Sequence, residues 1–206
     1  MRLLIAIPCM DTVRFEFAES LANLCKHLSD IGIYYDLEWH ATSIIYLARE
    51  ELANKAINDR YDYVLWLDSD MVFTPDHFDL LRSLNVDFAT GIYRSRRSPF
   101  AYVIKDIKEP MTRQRVIPNE PFEVAACGFG FVLMKTSVLY TVRSNFMTNF
   151  TPTPSSGEDY AFCERWLKQS ADNKIIAHPD VRPEHVAYVR LRGDDVANLV
   201  TYIEQR

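Results

Sequence analysis

The sequence predicts an α/β fold with a mainly parallel central sheet flanked by helices, and two observations carry that expectation. In the first half, short apolar runs alternate with stretches of helical periodicity, the pattern of strands joined by right-handed crossovers. Those runs are apolar at consecutive positions, as expected of strands covered on both faces. The 206 residues are 48% apolar, enough for one domain with a sizeable core.

Leu3 to Ile7 is the first such run, and Pro8 ends it. Phe17, Leu21, Leu24 and Leu28 then share one helical face, and Gly32 closes that helix. Ile33 to Trp39 reads as a second strand. Thr42 or Ser43 can cap a second helix whose inner face is Ile45, Ala48 and Leu52. Tyr63 to Leu67 is a third strand, running directly into Asp68. Thr74-Pro75 joins a cap residue to a proline at the first helical position, which places a short helix over Asp76 to Leu84. Val86 to Ile92 is a fourth strand.

The second half has a different texture. Residues 105–121 are polar, with Pro118 and Pro121 near their end, and read as a loop or lid. Val124 to Met134 is a long apolar run interrupted by Gly128 and Gly130. Residues 144–157 are rich in Asn, Thr, Ser and Pro and read as a mobile connection. Helices are expected from Glu158 onward and over residues 194–204. No internal repeat is visible.

Composition excludes several classes. The formal charge of −5, with no basic face standing out, does not suit a polyanion binder, so phosphate handling would fall to a few arginines or a metal. Cys9, Cys25, Cys127 and Cys163 form no Cys-x-x-Cys pair, which argues against a zinc knuckle and for a reducing, cytoplasmic setting. The apolar run at the N-terminus is too short for a secretory signal, and no run approaches a membrane span. Asn149-Phe150-Thr151 matches a glycosylation sequon and gains no weight without such a signal.

Asp68 and Asp70 are the strongest chemical signal. Side chains two apart on an extended segment project to one side, so an apolar strand ending in Asp-Ser-Asp delivers two carboxylates to the edge where open α/β sheets bind ligands. Two adjacent carboxylates repel unless a cation or proton joins them, and Mg²⁺ or Mn²⁺ would accept them together with phosphate oxygens. The same pattern also suits a polar turn closing the strand. Glu158-Asp159 opens a helix; one carboxylate could act as a general base, while Ser155-x-x-Glu158 also matches a capping box. His185 is either a neutral nitrogen ligand or an ordinary polar residue. Arg49, Arg94, Arg96 and Arg97 could grip phosphate or stand solvated. Gly128-Phe129-Gly130 would let backbone approach a ligand, or mark a bulge.

Taken in order, these segments resemble the GT-A glycosyltransferases, above all the small family-2-like enzymes of bacteria and their phages. Tyr63 through Met71 resembles the strand and Asp-x-Asp motif. Ile5-Ala6-Ile7-Pro8 resembles the first strand, and the loop that follows, Pro8-Cys9-Met10, the nucleotide-contacting turn. Ser43 through Arg49 resembles the helix whose arginine lies near the nucleotide, and Gly91 through Arg94 the strand after the motif. Cys127 through Val132, with Gly128 and Gly130, resembles the segment beneath donor sugar and acceptor. Gly157-Glu158-Asp159 resembles the acidic motif, and His185 the late metal ligand. The resemblance covers nearly the whole chain and departs from the family at Glu50, where Asn is common, and at Cys9-Met10, where small polar residues are.

The resemblance implies one GT-A domain over residues 1–206, with a nucleotide-binding half (1–100) and a smaller acceptor-side half (101–206). It implies a nucleotide-sugar donor, a UDP-sugar by family weight, and a hydroxyl acceptor on a glycan, protein, lipid or modified nucleic-acid base. Asp68, Asp70 and His185 would hold Mn²⁺ or Mg²⁺, and Asp68, Ser69 and Asp70 would meet the donor. Asp159, with Glu158 beside it, would deprotonate the acceptor if the enzyme inverts. Two rivals remain. Asp68-Ser69-Asp70-Met71-Val72 and Gly193-Asp194 also imitate a haloacid-dehalogenase-like phosphatase, and the chain could be a nucleotide-sugar or glycan-binding module without turnover.

Overall fold

A computed structural model of the chain describes residues 1–96 and 100–186. β1 (Arg2–Cys9) is buried on both faces, and its alternate residues serve two cores. Leu4 and Ala6 pack on one side of the sheet, Leu3, Ile5 and Ile7 on the other. α1 (Phe15–Asp30) turns Phe17, Leu21, Leu24 and Leu28 inward, the face its periodicity predicts. β2 (Tyr34–Ala41) lies parallel to β1 at the sheet's edge. α2 (Ile45–Asn58) buries Ala48, Arg49, Leu52, Ala53 and Ala56. Its N-cap is Ile44, and neither Thr42 nor Ser43 caps it. The Thr42 hydroxyl instead accepts from the Ile44 amide (3.2 Å), bracing the turn before the helix.

β3 (Tyr63–Leu67) pairs parallel to the other side of β1. A short β4 (Met71–Val72) follows, then α3 (Pro75–Ser83), capped by Thr74 with His77 closing the box. β5 (Phe88–Thr90) is shorter than the expected fourth strand.

The second half departs further. Lys105 lies in a strand, β6 (Ile104–Asp106), and not in a loop. The Asp106 amide donates to the Thr112 carbonyl and the Gln114 amide to the Ile104 carbonyl, so residues 112–114 run back along β6. The long apolar run is two strands, β7 (Phe122–Cys127) and β8 (Phe131–Lys135). α4 (Thr136–Phe146) follows β8 without a connecting turn, and its N-cap, Lys135, makes no side-chain cap bond. α5 (Glu158–Gln169) begins where expected, but at Gly157 with no side-chain cap. The Ser155/Glu158 box does not form, and Ser156 bonds Glu164 instead. β9 (Ile176–Ala177) and β10 (Glu184–His185) complete the described chain. The helix expected over residues 194–204 lies outside the described residues, as do Arg97 and Gly193-Asp194.

The main sheet runs β2-β1-β3-β8-β5-β9-β7-β6, with β8 and β7 antiparallel to the other strands. α1 and α3 cover one face; α2, α4 and α5 cover the other. β4 and β10 form a separate antiparallel pair.

The connection between α4 and α5 is tied down. Glu50 accepts from the Asn149 and Phe150 amides (2.9 and 2.7 Å) and from the Thr148 hydroxyl (3.1 Å). Arg165 donates to the Asn149 carbonyl (2.8 Å) and to that of Thr151. Phe150, fully buried, stacks on Phe162 with centroids 4.8 Å apart. The expected mobile stretch is thus anchored through residues 148–151 by a carboxylate from α2. Glu50→Ala would strand two buried amides, each costing about 1–3 kcal/mol. Urea unfolding of that variant should show about 2–6 kcal/mol lost, and an unchanged midpoint would mean that the clamp contributes nothing.

Candidate active site

The C-terminal ends of β1 and β3, the start of α5 and the β4/β10 pair enclose one cleft of about 660 Å³. β3 is apolar until Leu67 and then exposes Asp68 at the sheet edge, as a strand does when its hydrophobic run ends. The Gly130 carbonyl accepts from the Asp68 amide (3.2 Å), fixing the strand end against β8.

Arg49 rises from α2 beneath that edge and is 3% exposed. Its Nη2 donates to Asp68 Oδ1 at 2.8 Å, and its Nε lies 3.5 Å from Glu158 Oε1. The guanidinium sits over Phe129 (5.3 Å) and Trp66 (6.0 Å). Burial opposes its charge, but Asp68, Glu158 and Asp159 outweigh burial and hold its pKa above the ordinary arginine value. Nε and Nη1 have no hydrogen-bond partner among the described residues.

Glu158 and Asp159 occupy the first turn of α5, where the helix dipole favours negative charge. Asp159 Oδ1 accepts from the Tyr160 amide (2.7 Å). Burial and the Glu158 charge push the Asp159 carboxyl up to about 6, against the pull of Arg49 and of that amide. A carboxylate that titrates near neutrality is suited to accept a proton.

Asp70 meets a residue from far along the chain. β10 pairs with β4, so Met71 faces His185, and the Val186 amide donates to the Asp70 carbonyl (2.9 Å). His185 Nε2 lies 3.3 Å from Asp70 Oδ2, and its Nδ1 lies 3.1 Å from the Arg94 carbonyl. A carbonyl only accepts, so Nδ1 carries a proton; in the protonated ring Nε2–H donates to Asp70, and in the neutral ring the Nε2 lone pair would be free for a cation held with Asp70. Burial pushes the His185 pKa down, and the Asp70 hydrogen bond and charge, with the Arg94 carbonyl, raise it above the ordinary value. Burial pushes Asp70 up, and His185 and Arg96 bring it below the usual carboxylate range. Arg96 also contacts Asp70 Oδ2.

A carboxylate oxygen and an imidazole nitrogen at this separation, the ring anchored from behind, fit Mn²⁺ or Mg²⁺ as two protein ligands with room for ligand oxygens. Among the described residues no group of three or more His, Cys, Asp and Glu could hold a metal. The expected trio of Asp68, Asp70 and His185 is therefore not gathered, because Asp68 Oδ1 is taken by Arg49. Pro8, Cys9, Met10 and Ser69 line the cleft, along with Thr42 and Ser43.

Three expected contacts fall elsewhere. Arg94 does not line the cleft: its side chain stacks on Tyr102 (4.2 Å) and donates to the Phe100 carbonyl, and Arg96 lines the cleft in its place. Gly128 and Gly130 do not line it either, whereas Phe129 between them does. A Cβ on Gly128 would strike the Tyr93 hydroxyl, and one on Gly130 would come within 2.8 Å of the same ring. The two glycines make room for Tyr93, whose buried phenol accepts from the Gly130 amide (2.8 Å) and reaches the cleft. Tyr93 and Arg113 are lining residues that the sequence did not single out. Tyr93 ends an apolar run, and Arg113 sits in a polar stretch that looks like any solvated loop.

No protein-family model and no curated protein matches the chain. Solved structures do. A197 from STIV is 19% identical, with a TM-score of 0.58 over 94% of this chain and 100% of that one. The 4-diphosphocytidyl-2C-methyl-D-erythritol synthase of Anaerococcus prevotii is 13% identical, with a TM-score of 0.50 over 100% and 96%. GalNAc-T7 with UDP, GalNAc and Mn²⁺ is 13% identical, with a TM-score of 0.49, and the chain spans 38% of it. The fold is GT-A-like. At these identities the likeness is one of fold.

Removing one partner of a buried ion pair costs about 3–5 kcal/mol, so Arg49→Met should destabilise strongly at pH 8. Without the neighbouring positive charge Asp159 should titrate above 6, and the penalty should shrink as acidification neutralises it. Carboxyl NMR and urea unfolding across pH check both; an Asp159 that still titrates near 6 would remove Arg49 as its counter-charge.

Proposed function

We propose that this cleft transfers a sugar from a nucleotide-sugar donor to a hydroxyl acceptor, with Asp159 as general base. The observation that carries the reading is the convergence of three acidic stations on one sheet edge: Asp68 on Arg49, Asp70 beside His185, and Asp159 at the start of α5. A donor would enter over Pro8 to Met10, where the end of β1 and Thr42-Ser43 supply the wall. A UDP-sugar is the donor we favour, from the motif resemblance.

Asp70 and His185 would hold a divalent cation, which when bound would neutralise charge on the departing diphosphate. Asp68, held by Arg49, is fixed for a donor hydroxyl or for a water on that cation. Arg96, mostly exposed and within reach of Asp70, can turn to phosphate oxygens. Asp159 faces the same space and can take the acceptor proton as the hydroxyl attacks, which corresponds to inversion at the sugar carbon. Among the described residues no helix is long and apolar enough to cross a membrane. All four cysteines are free thiols, in keeping with a cytoplasmic setting.

Asp159→Asn keeps the volume and the acceptor for the Tyr160 amide but removes the base. It should lower kcat roughly 10² to 10⁴-fold while nucleoside-diphosphate affinity stays unchanged in calorimetry. Wild-type kcat/KM should climb with pH through about 6, as the Asp159 carboxyl of the free enzyme loses its proton, and the variant should lack that limb. Near-wild-type turnover in the variant would remove the base.

Asp70→Ala and His185→Ala should each abolish the difference that Mn²⁺ makes to nucleoside-diphosphate binding. Affinity that is equal with Mn²⁺ and with chelator in the wild type would sink the cation's role.

A further inference from the structure

The chain is acidic overall, yet residues 91–119 hold seven of its 23 Lys and Arg and only two of its 28 Asp and Glu. The segment concentrates cations against the chain's net charge, and two of them, Arg96 and Arg113, line the cleft. Lys105 on β6 stands directly opposite Arg113 across an antiparallel bridge. Like charges in that position repel. Among the described residues neither side chain has a carboxylate within ion-pair distance. Arg113 donates to the Tyr102 carbonyl (3.1 Å), and the Lys105 ammonium lies 4.7 Å from the centre of the Tyr160 ring. Arg113 lines the cleft with Asp159, and Tyr160 is the residue whose amide holds Asp159. Arg113 thus shares the cleft lining with the base, and Lys105 lies against the ring of the residue next to it, neither with an ion-pair partner among the described residues.

We propose, on the reading of this cleft as a transferase site, that the acceptor carries an anionic group, phosphate or carboxylate, held by Lys105 and Arg113 while its hydroxyl meets Asp159. An ionised oxygen accepting from both side chains would relieve the cross-strand repulsion and fix the acceptor's orientation. The donor diphosphate would have separate groups of its own, Arg96 and the Asp70/His185 pair.

The test is calorimetric titration of the protein saturated with UDP and Mn²⁺. The probes are glucose 6-phosphate, glucuronate and, as the neutral control, glucose. One or both anionic probes should bind better than glucose, which also tells phosphate from carboxylate. The double variant Lys105→Gln/Arg113→Gln should weaken that binding on the order of tenfold to a hundredfold, as loss of hydrogen bonds to a charged group implies. Its UDP affinity and melting temperature should stay unchanged. Equal binding of all three probes, or a variant that binds like the wild type, overturns the proposal. So does a variant that loses UDP affinity instead, since the anion these side chains hold would then be the donor's. A wild type that binds no UDP sinks the transferase reading alone; the same probes titrated into the nucleotide-free protein then decide whether the anion subsite exists.

Discussion

Arg49 carries a full charge where water scarcely reaches it, and the geometry of the cleft depends on that charge. Its cost of burial is offset by three carboxylates from two other elements: Asp68 at the end of β3, and Glu158 and Asp159 at the start of α5. None of the three could stand so close to the others without it. The guanidinium thereby fixes the distance between the strand edge and the helix start, which are the two walls that a ligand must touch. Its flat face rests on Phe129 and Trp66, so its position is set by packing as well as by charge.

That packing is itself held from the side. Trp66, Phe129, Phe150 and Phe162 meet edge-on or stacked, from β3, the β7–β8 turn, the α4–α5 connection and α5. Phe150 lies in an irregular connection, and Glu50 supplies what a strand or helix would have: acceptors for its amide and that of Asn149. Adjacent residues on α2 therefore do complementary work. Arg49 points to the cleft and Glu50 to the loop that supports the ring beneath Arg49. The departure from the family pattern at Glu50 reads as a structural clamp and not as an altered nucleotide contact.

Electrostatically the cleft is divided. A buried cation at its floor holds acids at two walls, His185 orients toward Asp70, and Arg113 adds a further cation to the lining. An acidic protein can serve phosphate-bearing ligands in this way, because positive charge is placed locally and the net charge stays negative.

The sequence by itself determined the first half of the fold and the two acidic motifs. β1, α1, β3 and α3 are written in local signals: consecutive apolar residues, a helical stripe, and Thr74-Pro75 at a helix start. Asp68 and Asp70 were legible because a strand that stops being apolar must be leaving the core. Tertiary structure alone decided the rest. α4 continues directly from the apolar run of β8, so no turn marks the change from strand to helix. The two glycines were visible as glycines, but their reason is the Tyr93 ring from the segment after β5. His185 reaches Asp70 through a two-residue strand pairing that no periodicity could announce, and Arg94 yields its place to Arg96 because Tyr102 offers it a ring face. Each of these depends on contacts between residues far apart in the chain, and local patterning holds no information on which distant partner a side chain will meet.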